Sequence, residues 1–340
     1  MKAIVLEKFG GPEVLTLRDV DAPKAGPDDI VIQVETTAVN RADLLERQGH
    51  YPPPDPKPRY QIPGLECAGI VVEKGDRVTK FSLGDKILAL LPGGGYAEYV
   101  TCPEDLAWKM PQGLTWVEGG AIPEVFLTAF DALWDKAGLM PGDRVLIHAA
   151  AGGVGSAAVQ LAVRAGLQVV ATTGTAQKVA FVKTLGADLV VNYREQDFVQ
   201  EVQEWSGGRG VHAVIDFIGK DYLTRNLKAM AAGGTLVVVG TLSGVDAPLD
   251  LREILGRRLT VRGTALRSRP RPDKMRLVQD FADRTTTDFV TGKLRPIIDR
   301  VLPLDQVSDA HRLLAGNQTM GKLVLAVKAQ ESGESLEAPH

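Results

Sequence analysis

A glycine-rich segment near the middle of the chain is the strongest candidate for chemistry, because its pattern is typical of a dinucleotide-binding turn. The segment reads HAAAGGVGSAAVQLA; Ala150, Gly152 and Gly155 hold its three fingerprint positions, the first with alanine in place of glycine. It follows the apolar run RVLIHA and precedes a helix-like run. In this arrangement a pyrophosphate lies against the amides of a helix N-terminus. The predicted nucleotide-binding residues are Ala151, Gly152, Gly153, Val154 and Gly155.

The end of the next apolar run, ATTGTAQK, indicates which dinucleotide is bound. A domain that binds NAD usually has Asp or Glu about twenty residues after the fingerprint, where it holds the ribose hydroxyls. Here Thr173, Gly174 and Thr175 can donate hydrogen bonds instead, and Lys178 adds a positive charge. Tyr193, which ends the run VVNY, is expected on the same rim. The pattern favours NADPH.

These residues belong to a stretch in which apolar runs alternate with helical segments. The runs are RVLIHA, QVVATTG, DLVVNY, HAVIDFIG, GTLVVVG and LTVRGTAL. Continuous apolar runs, rather than alternating ones, indicate parallel strands that are covered on both faces. The sequence therefore predicts an α/β fold whose nucleotide-binding part, residues 125–267, is a doubly wound Rossmann domain.

The first third of the chain is predicted to be antiparallel β structure, because short β-branched runs alternate there with Gly, Pro and Asp clusters. A short helix is expected from Arg41 to Gln48, capped by Asn40, and the run YPPPDPKP after it must be extended. The segments that follow Arg267 are expected to return to this domain. We assign 1–124 and 268–328 to one β-rich domain and 329–340 to a flexible tail.

Bulk composition disfavours several classes of function. The 340 residues carry a formal net charge of −3, so nucleic acid and anionic membranes are not default partners. No apolar run approaches a signal peptide core or the roughly 18 residues of a membrane helix, which predicts a cytoplasmic location. Cys67 and Cys102 are expected to be buried thiols, and two cysteines are too few for a structural zinc site built from cysteine.

The order of a β-rich domain, a central glycine turn and a returning C-terminal segment resembles the medium-chain dehydrogenase/reductase superfamily over about residues 1–328. Within it, NRADLLERQGHYPPP, LPGGGYAEYV, IPEVFLTAF, AAAGGVG, LRSR and MGKLVL resemble the zinc-free quinone oxidoreductases, especially the type induced by a tumour suppressor in mammals. The resemblance implies that the β-rich domain is a GroES-like catalytic domain. It also implies a homodimer formed at a strand edge, and reduction of quinones or similarly activated carbonyls by NADPH.

Zinc-dependent members of that superfamily use a cysteine after an N-terminal strand and a histidine in a Gly-His-Glu motif. Here Asn40 stands near the cysteine position, and Leu65 replaces the histidine in Gly64-Leu65-Glu66. The resemblance therefore implies hydride transfer without a metal ion. In such a reaction the protein chiefly positions the two rings. It needs little help from a catalytic acid, because the hydroquinone can take its proton from water.

Carried over residue by residue, the resemblance implies further site residues. Asn40 and Thr128 would lie near the nicotinamide, and Tyr51 would line the acceptor pocket. The catalytic candidates are Asn40, Asp43 and Tyr51. The loops after the last two parallel strands and the returning strand would contact the nicotinamide half of the cofactor through Gly240, Thr241, Leu242, Ala265, Leu266, Arg267 and Asn317.

Several polar residues also have ordinary structural explanations. Asn40 and Asp43 could simply begin a helix, because asparagine caps helices and an acid favours the first turn. Glu66 could pair with a cation rather than take part in catalysis. His148, which ends the first predicted parallel strand, is expected to be a hydrogen-bonded core residue.

Two other functions stay open at this point. Tyr51, in GHYPPP, resembles a tyrosine that NADPH-dependent enoyl-thioester reductases place near their substrate. A protein that binds NADPH without turnover is the third possibility, since some relatives have structural or nucleic-acid-binding roles. Salt-sensitive binding to RNA would favour it.

Overall fold

The computed structural model describes residues 1–51 and 58–328. The chain divides into two compact units, Met1–Leu127 with Arg267–His340, and Thr128–Leu266. Most of the predicted proline loop and the whole predicted tail lie outside the described residues. Within those described, no helix is both long and apolar enough to cross a membrane.

The N-terminal segment of the first unit is mainly antiparallel β structure, as predicted. Strands β1 and β2 form a hairpin, and the longest strand, β3, is the centre of a larger sheet. The elements are β1 (Lys2–Leu6), β2 (Leu15–Asp19), β3 (Asp29–Val39), α1 (Arg41–Arg47), β4 (Glu66–Lys74), β5 (Lys86–Leu90), β6 (Tyr99–Pro103), β7 (Ala107–Lys109), α2 (Trp116–Gly119) and α3 (Pro123–Phe130).

The second unit confirms the predicted doubly wound fold. Its sheet has the order β10-β9-β8-β11-β12-β13, and every pairing in it is parallel. All four residues of β8 are buried, as expected for a strand covered on both faces. The elements are β8 (Arg144–Ile147), α4 (Gly153–Arg164), β9 (Gln168–Thr173), α5 (Ala176–Thr184), β10 (Leu189–Asn192), α6 (Phe198–Trp205), β11 (Val211–Asp216), α7 (Leu223–Ala229), β12 (Met230–Val238), α8 (Leu251–Arg257) and β13 (Thr260–Gly263).

The C-terminal segment returns to the first unit and completes its sheet. It contains α9 (Arg271–Val290), β14 (Ile298–Pro303), α10 (Val307–Ala315) and β15 (Lys322–Ala326). Strand β15 pairs antiparallel with β3, with Leu323 opposite Val39, and parallel with β14. Helix α9 is anchored by Phe281 and Phe289, whose rings lie 5.8 Å from Trp108 and 5.1 Å from Phe126 respectively. The β3–β15 pairing brings the end of β3 and the start of β15 side by side.

One helix differs from the sequence expectation. The run VFLTAFDALWDKAG predicts one amphipathic helix, but the α-helix ends at Phe130 and residues Asp131–Lys136 form a π-helical turn. There the Ala137 amide donates to the Ala132 carbonyl, and Gly138 ends the turn with a φ of +64°.

Candidate functional site

The glycine turn between β8 and α4 is tight, and its strain falls on an alanine. Ala149 has a φ of +48°, a left-handed conformation in which non-glycine residues are uncommon. Gly152 caps α4 in an extended conformation, with φ −81° and ψ 175°, and no side chain caps this helix. A Cβ on Gly155 would lie 2.3 Å from the Ala149 carbonyl oxygen, so this position requires glycine.

The first turn of α4 fits the pyrophosphate of a dinucleotide. The Ser156 amide makes the first intrahelical hydrogen bond, 2.8 Å to the Gly152 carbonyl. The amides of Gly153, Val154 and Gly155 therefore have no acceptor within the helix. Three free donors at the positive end of a twelve-residue helix can bind an anionic group.

The rim at the ends of β9 and β10 brings four of the predicted phosphate-selecting residues together. A Cβ on Gly174 would lie 2.6 Å from the Tyr193 hydroxyl oxygen, so the absence of a side chain allows that hydroxyl to reach the β9–α5 turn. The Thr175 hydroxyl caps α5 by accepting from the Lys178 amide at 3.2 Å. Lys178 is thus held in the first turn of α5, whereas Thr173 is buried.

His148 follows β8 and is a core residue, as the sequence suggested. Its Nδ1 lies 2.8 Å from the Thr172 hydroxyl and its Nε2 2.8 Å from Asn226 Oδ1. The amide oxygen only accepts, so Nε2 carries the hydrogen. The neutral ring can then donate to Asn226 and accept from the Thr172 hydroxyl. Burial lowers the pKa of His148 to about 4.

Acid is expected to destabilise the protein through His148. The unfolded chain, with a histidine pKa of 6.5, binds a proton that the folded state resists down to about 4. The stabilisation is therefore complete above about pH 6.5 and is lost as the pH falls, by about 2 kcal/mol between pH 7 and 5. Urea unfolding of the wild type and of His148→Gln at both pH values checks this. If the two proteins lose stability equally, the prediction is wrong.

A buried charged cluster lies in the first unit where β3, β4 and β15 meet. Lys322 Nζ donates to the Val39 carbonyl at 3.1 Å, to Asn40 Oδ1 at 2.6 Å and to Glu66 Oε1 at 2.7 Å. Asn40 Nδ2 also donates to Glu66 Oε1, at 2.7 Å. Three acceptors satisfy all three hydrogens of the ammonium. We call Asn40, Glu66 and Lys322 the buried triad; Lys322 positions the other two side chains.

Asp43 extends this polar region on the other side of Asn40. Its carboxylate accepts from the Asn40 amide at 2.7 Å, in a capping box, and from the Tyr96 hydroxyl at 2.9 Å. Tyr96 in turn lies 3.3 Å from His311 Nε2. Burial raises the pKa of Asp43 to about 7, although both hydrogen bonds oppose the shift. Asp43 is fully buried, so its evident task is to fix the start of α1 and the orientation of Asn40.

Glu124 and Tyr51 form the less enclosed part of the same region. The Glu124 amide donates to Glu66 Oε2 at 2.9 Å, which sets the first turn of α3 against the buried triad. Desolvation, and then the charge of Glu66, raise the pKa of Glu124 to about 8. Burial and the nearby Glu124 raise the pKa of Tyr51 as well. At neutral pH both side chains are therefore largely protonated hydrogen-bond donors.

Comparison with known proteins places this arrangement in a family. Residues 26–112 match the alcohol dehydrogenase GroES-like domain, and residues 153–283 match the family described as zinc-binding dehydrogenase. The quinone oxidoreductase of Lama guanicoe is 33% identical over 332 residues, which cover 96% of this chain and 98% of the relative. The human quinone oxidoreductase is 31% identical over 96% of this chain and 97% of its own length. The chain belongs to the medium-chain dehydrogenase/reductase superfamily.

Solved structures of the superfamily share this fold. An Escherichia coli quinone oxidoreductase complexed with NADPH has a TM-score of 0.87 and 28% identity, covering 96% of this chain and all of the other. An NAD-dependent alcohol dehydrogenase has a TM-score of 0.86 and 34% identity, with 96% and 100% covered. The CurK enoyl reductase has a TM-score of 0.83 and 26% identity, with 96% and 98% covered. Members of the superfamily thus differ in the pyridine nucleotide that they use and in the acceptor that they reduce.

In this medium-chain dehydrogenase/reductase the predicted cofactor residues of the second unit, apart from Thr128, follow the strands at one edge of its sheet. The glycine turn, the Gly174 rim and Tyr193 follow β8, β9 and β10. Gly240, Thr241 and Leu242 follow β12, where the Leu242 amide bonds the Phe217 carbonyl at 3.2 Å. Ala265 and Leu266 follow β13, and Leu266 is buried. The carboxyl edge of a parallel sheet is where such folds bind ligands.

The remaining predicted residues of this dehydrogenase/reductase lie elsewhere. Thr128 is a buried residue of α3 and begins the second unit. Arg267 and Asn317 belong to the first unit. Asn317 has a φ of +54° after α10, and its Oδ1 accepts from Arg41 at 2.6 Å.

Sequence reasoning missed two members of the first-unit site, Lys322 and Glu124. Both stand inside segments that carry the family resemblance, MGKLVL and IPEVFLTAF. Glu66 was assigned a possible cation partner, and Lys322 is that cation. In residues 1–51 and 58–328 no group of three His, Cys, Asp or Glu side chains is arranged to hold a metal ion.

Proposed function

We propose that this protein is an NADPH-dependent oxidoreductase that reduces quinones or similarly activated carbonyl acceptors without a metal ion. The observation that supports this proposal most strongly is the geometry at the ends of β9 and β10, where the Tyr193 hydroxyl lies beside Gly174 and the first turn of α5. Lys178 and Tyr193 would hold the 2′-phosphate there, and the end of β9 carries Thr173, Gly174 and Thr175 where NAD-binding domains usually have Asp or Glu. The amides at the start of α4 would hold the pyrophosphate.

Bound NADPH supplies a hydride, and the quinone leaves as a hydroquinone after it gains that hydride and one proton. The first unit offers protonated groups for the developing oxyanion, because Glu124 keeps its proton to about pH 8 and Tyr51 keeps its hydroxyl hydrogen. Asn40, held by Asp43 and Lys322, would present its amide edge to the reacting rings.

Metal independence is supported by what the buried triad does with its side chains. Asn40 stands near the position at which zinc-dependent relatives have cysteine, and Leu65 replaces their histidine. Glu66 accepts from Lys322 and Asn40, so a fixed ammonium rather than a divalent ion neutralises its charge. Amide and leucine side chains are not zinc ligands.

A homodimer is part of the proposal. Strand β13 pairs with β12 on one side and ends the parallel sheet on the other. Beside it, α8 buries none of its residues, and Leu251, Leu255 and Val261 are exposed. A second copy that added its own β13 across a two-fold axis would pair the strand edge and cover these apolar side chains.

The deciding experiment is oxidation of NADPH, followed at 340 nm, with an ortho-quinone, a para-quinone, an enoyl thioester or no acceptor. Quinone-dependent turnover is expected, with NADPH preferred to NADH. Lys178→Ala is expected to raise the KM for NADPH roughly 10- to 100-fold and to leave that for NADH nearly unchanged, since the 2′-phosphate, which NADH lacks, loses a charged partner. Lys183→Ala, an exposed lysine in the last turn of the same helix, is the control.

Other outcomes of that assay assign the remaining functions. Turnover with the thioester alone, abolished in Tyr51→Phe, would transfer the protein to the enoyl reductases that CurK represents. NADPH binding without any turnover would indicate a non-catalytic protein. Equal use of NADH and NADPH by the wild type would contradict the cofactor assignment.

A further inference from the structure

Arg267 is a buried cation, and three of the five N–H donors of its guanidinium group have no acceptor. Its side chain is 8% exposed, and Nη1 donates to Glu46 Oε2 at 2.6 Å. Gln61 holds the other oxygen of Glu46 at 3.1 Å, so this ion pair is fixed. Arg267 Nε and Nη2 are both buried and make no hydrogen bond. Buried donors without acceptors are costly and uncommon, so a missing partner is implied.

The two unused donors are the right pair for one kind of ligand. Nε–H and one Nη2–H point in parallel from the same edge of the guanidinium plane. That edge matches the two oxygens of a carboxylate, which it binds through two parallel hydrogen bonds. A single carbonyl oxygen can accept from both hydrogens only in a bifurcated arrangement, in which neither bond is well aligned.

The surroundings of Arg267 suit an anionic group carried by an apolar or aromatic body. The guanidinium carbon lies 5.0 Å from the centre of the Tyr51 ring. Lys274 Nζ donates to the Arg267 carbonyl at 2.8 Å and adds a second positive charge. Glu124, the acid with the largest influence on the pKa of Tyr51, has a pKa raised to about 8 and holds its proton at neutral pH. The neighbourhood is therefore cationic and donor-rich, with an aromatic face beside it.

We propose that the Nε–Nη2 edge of Arg267 binds a carboxylate on the acceptor, so that the acceptor class includes conjugated carboxylic acids with an aromatic or apolar substituent. This inference rests on the proposed function for the identity of the pocket beside Tyr51. It reassigns Arg267 from cofactor contact to recognition of the acceptor.

The test is titration calorimetry of the protein saturated with NADP⁺, using trans-cinnamate and its uncharged isostere cinnamamide. The wild type is expected to bind the carboxylate about 10- to 100-fold more tightly, the value of a charge-assisted pair of hydrogen bonds. Arg267→Lys keeps the charge beside Glu46 but loses the planar edge, and is expected to remove that preference. Arg271→Lys, which alters an exposed ion pair with Asp105, is the matched control.

Each result decides the inference. Equal affinity of the wild type for the two ligands overturns it, and so does a preference that survives Arg267→Lys. If that variant does not fold, Lys274→Met serves instead: a preference lost there assigns the carboxylate to Lys274 and overturns the inference, whereas a retained preference supports Arg267. Binding requires no turnover, so a protein that reduces no quinone and still prefers cinnamate would refute the proposed function and leave this site standing.

Discussion

Replacing Lys322 with methionine is expected to lower the free energy of unfolding by about 3–5 kcal/mol, because the change leaves the Glu66 carboxylate buried without its cation. Lys322 and Glu66 are 3% and 0% exposed, so water cannot take over the role of the ammonium. Asn40 Oδ1 and the Val39 carbonyl would lose the same donor. Urea unfolding at neutral pH measures the loss.

The matched control for this prediction is Lys328→Met. Lys328 also pairs with a glutamate, Glu35, at 2.8 Å, but the lysine side chain is 47% exposed. Its removal is expected to cost less than about 1 kcal/mol. Adding Glu66→Gln to Lys322→Met removes the unpaired charge and should restore part of the stability. If Lys322→Met and Lys328→Met cost the same, the triad is not the structural element described above.

Gly155→Ala is expected to abolish tight cofactor binding and to destabilise the protein by about 1–3 kcal/mol. The added methyl would lie 2.3 Å from the Ala149 carbonyl oxygen and 2.7 Å from the Ala150 Cα. Both are backbone atoms, so the turn must open and move the amides that would hold the pyrophosphate. Helix propensity alone predicts the opposite sign, since alanine is favoured over glycine by about 1 kcal/mol. Unfolding with and without NADP⁺ separates the two effects.

Two other glycines provide the controls for Gly155→Ala. Gly256 lies in α8 with nothing within 4 Å of its added Cβ, so Gly256→Ala should be neutral or stabilising. The methyl group added by Gly152→Ala would contact only the Ala149 carbonyl oxygen, at 3.3 Å, so this variant should fold normally. It should still bind the cofactor more weakly, because the methyl group would stand where the pyrophosphate approaches the backbone. A stable Gly155→Ala that binds NADP⁺ like the wild type would refute the close-packed turn.

Patterns that are local in sequence predicted most of the nucleotide-binding unit. The six parallel strands, the glycine turn and the rim at Gly174 depend on short segments whose apolar period and glycine positions impose one geometry. His148 followed from its place at the end of a buried strand. The roles of the individual cofactor residues remain predictions.

The residues that complete the first-unit site could not be found in this way. Lys322 stands 256 positions after Glu66, and a lone lysine in an apolar run indicates no partner. Only the pairing of β15 with β3 brings it to the end of β3, where its ammonium meets Asn40 and Glu66. The ion pair between Arg267 and Glu46 likewise joins residues that are 221 positions apart in the chain.

The sequence by itself determined the fold class, the family and the place of the dinucleotide turn, because each depends on residues close together in the chain. The tertiary structure alone decided which side chains share a buried charge and which donors lack an acceptor. Those properties depend on burial and on contacts between distant segments, where desolvation fixes the protonation of Glu124 and leaves the free edge of Arg267 in need of a ligand.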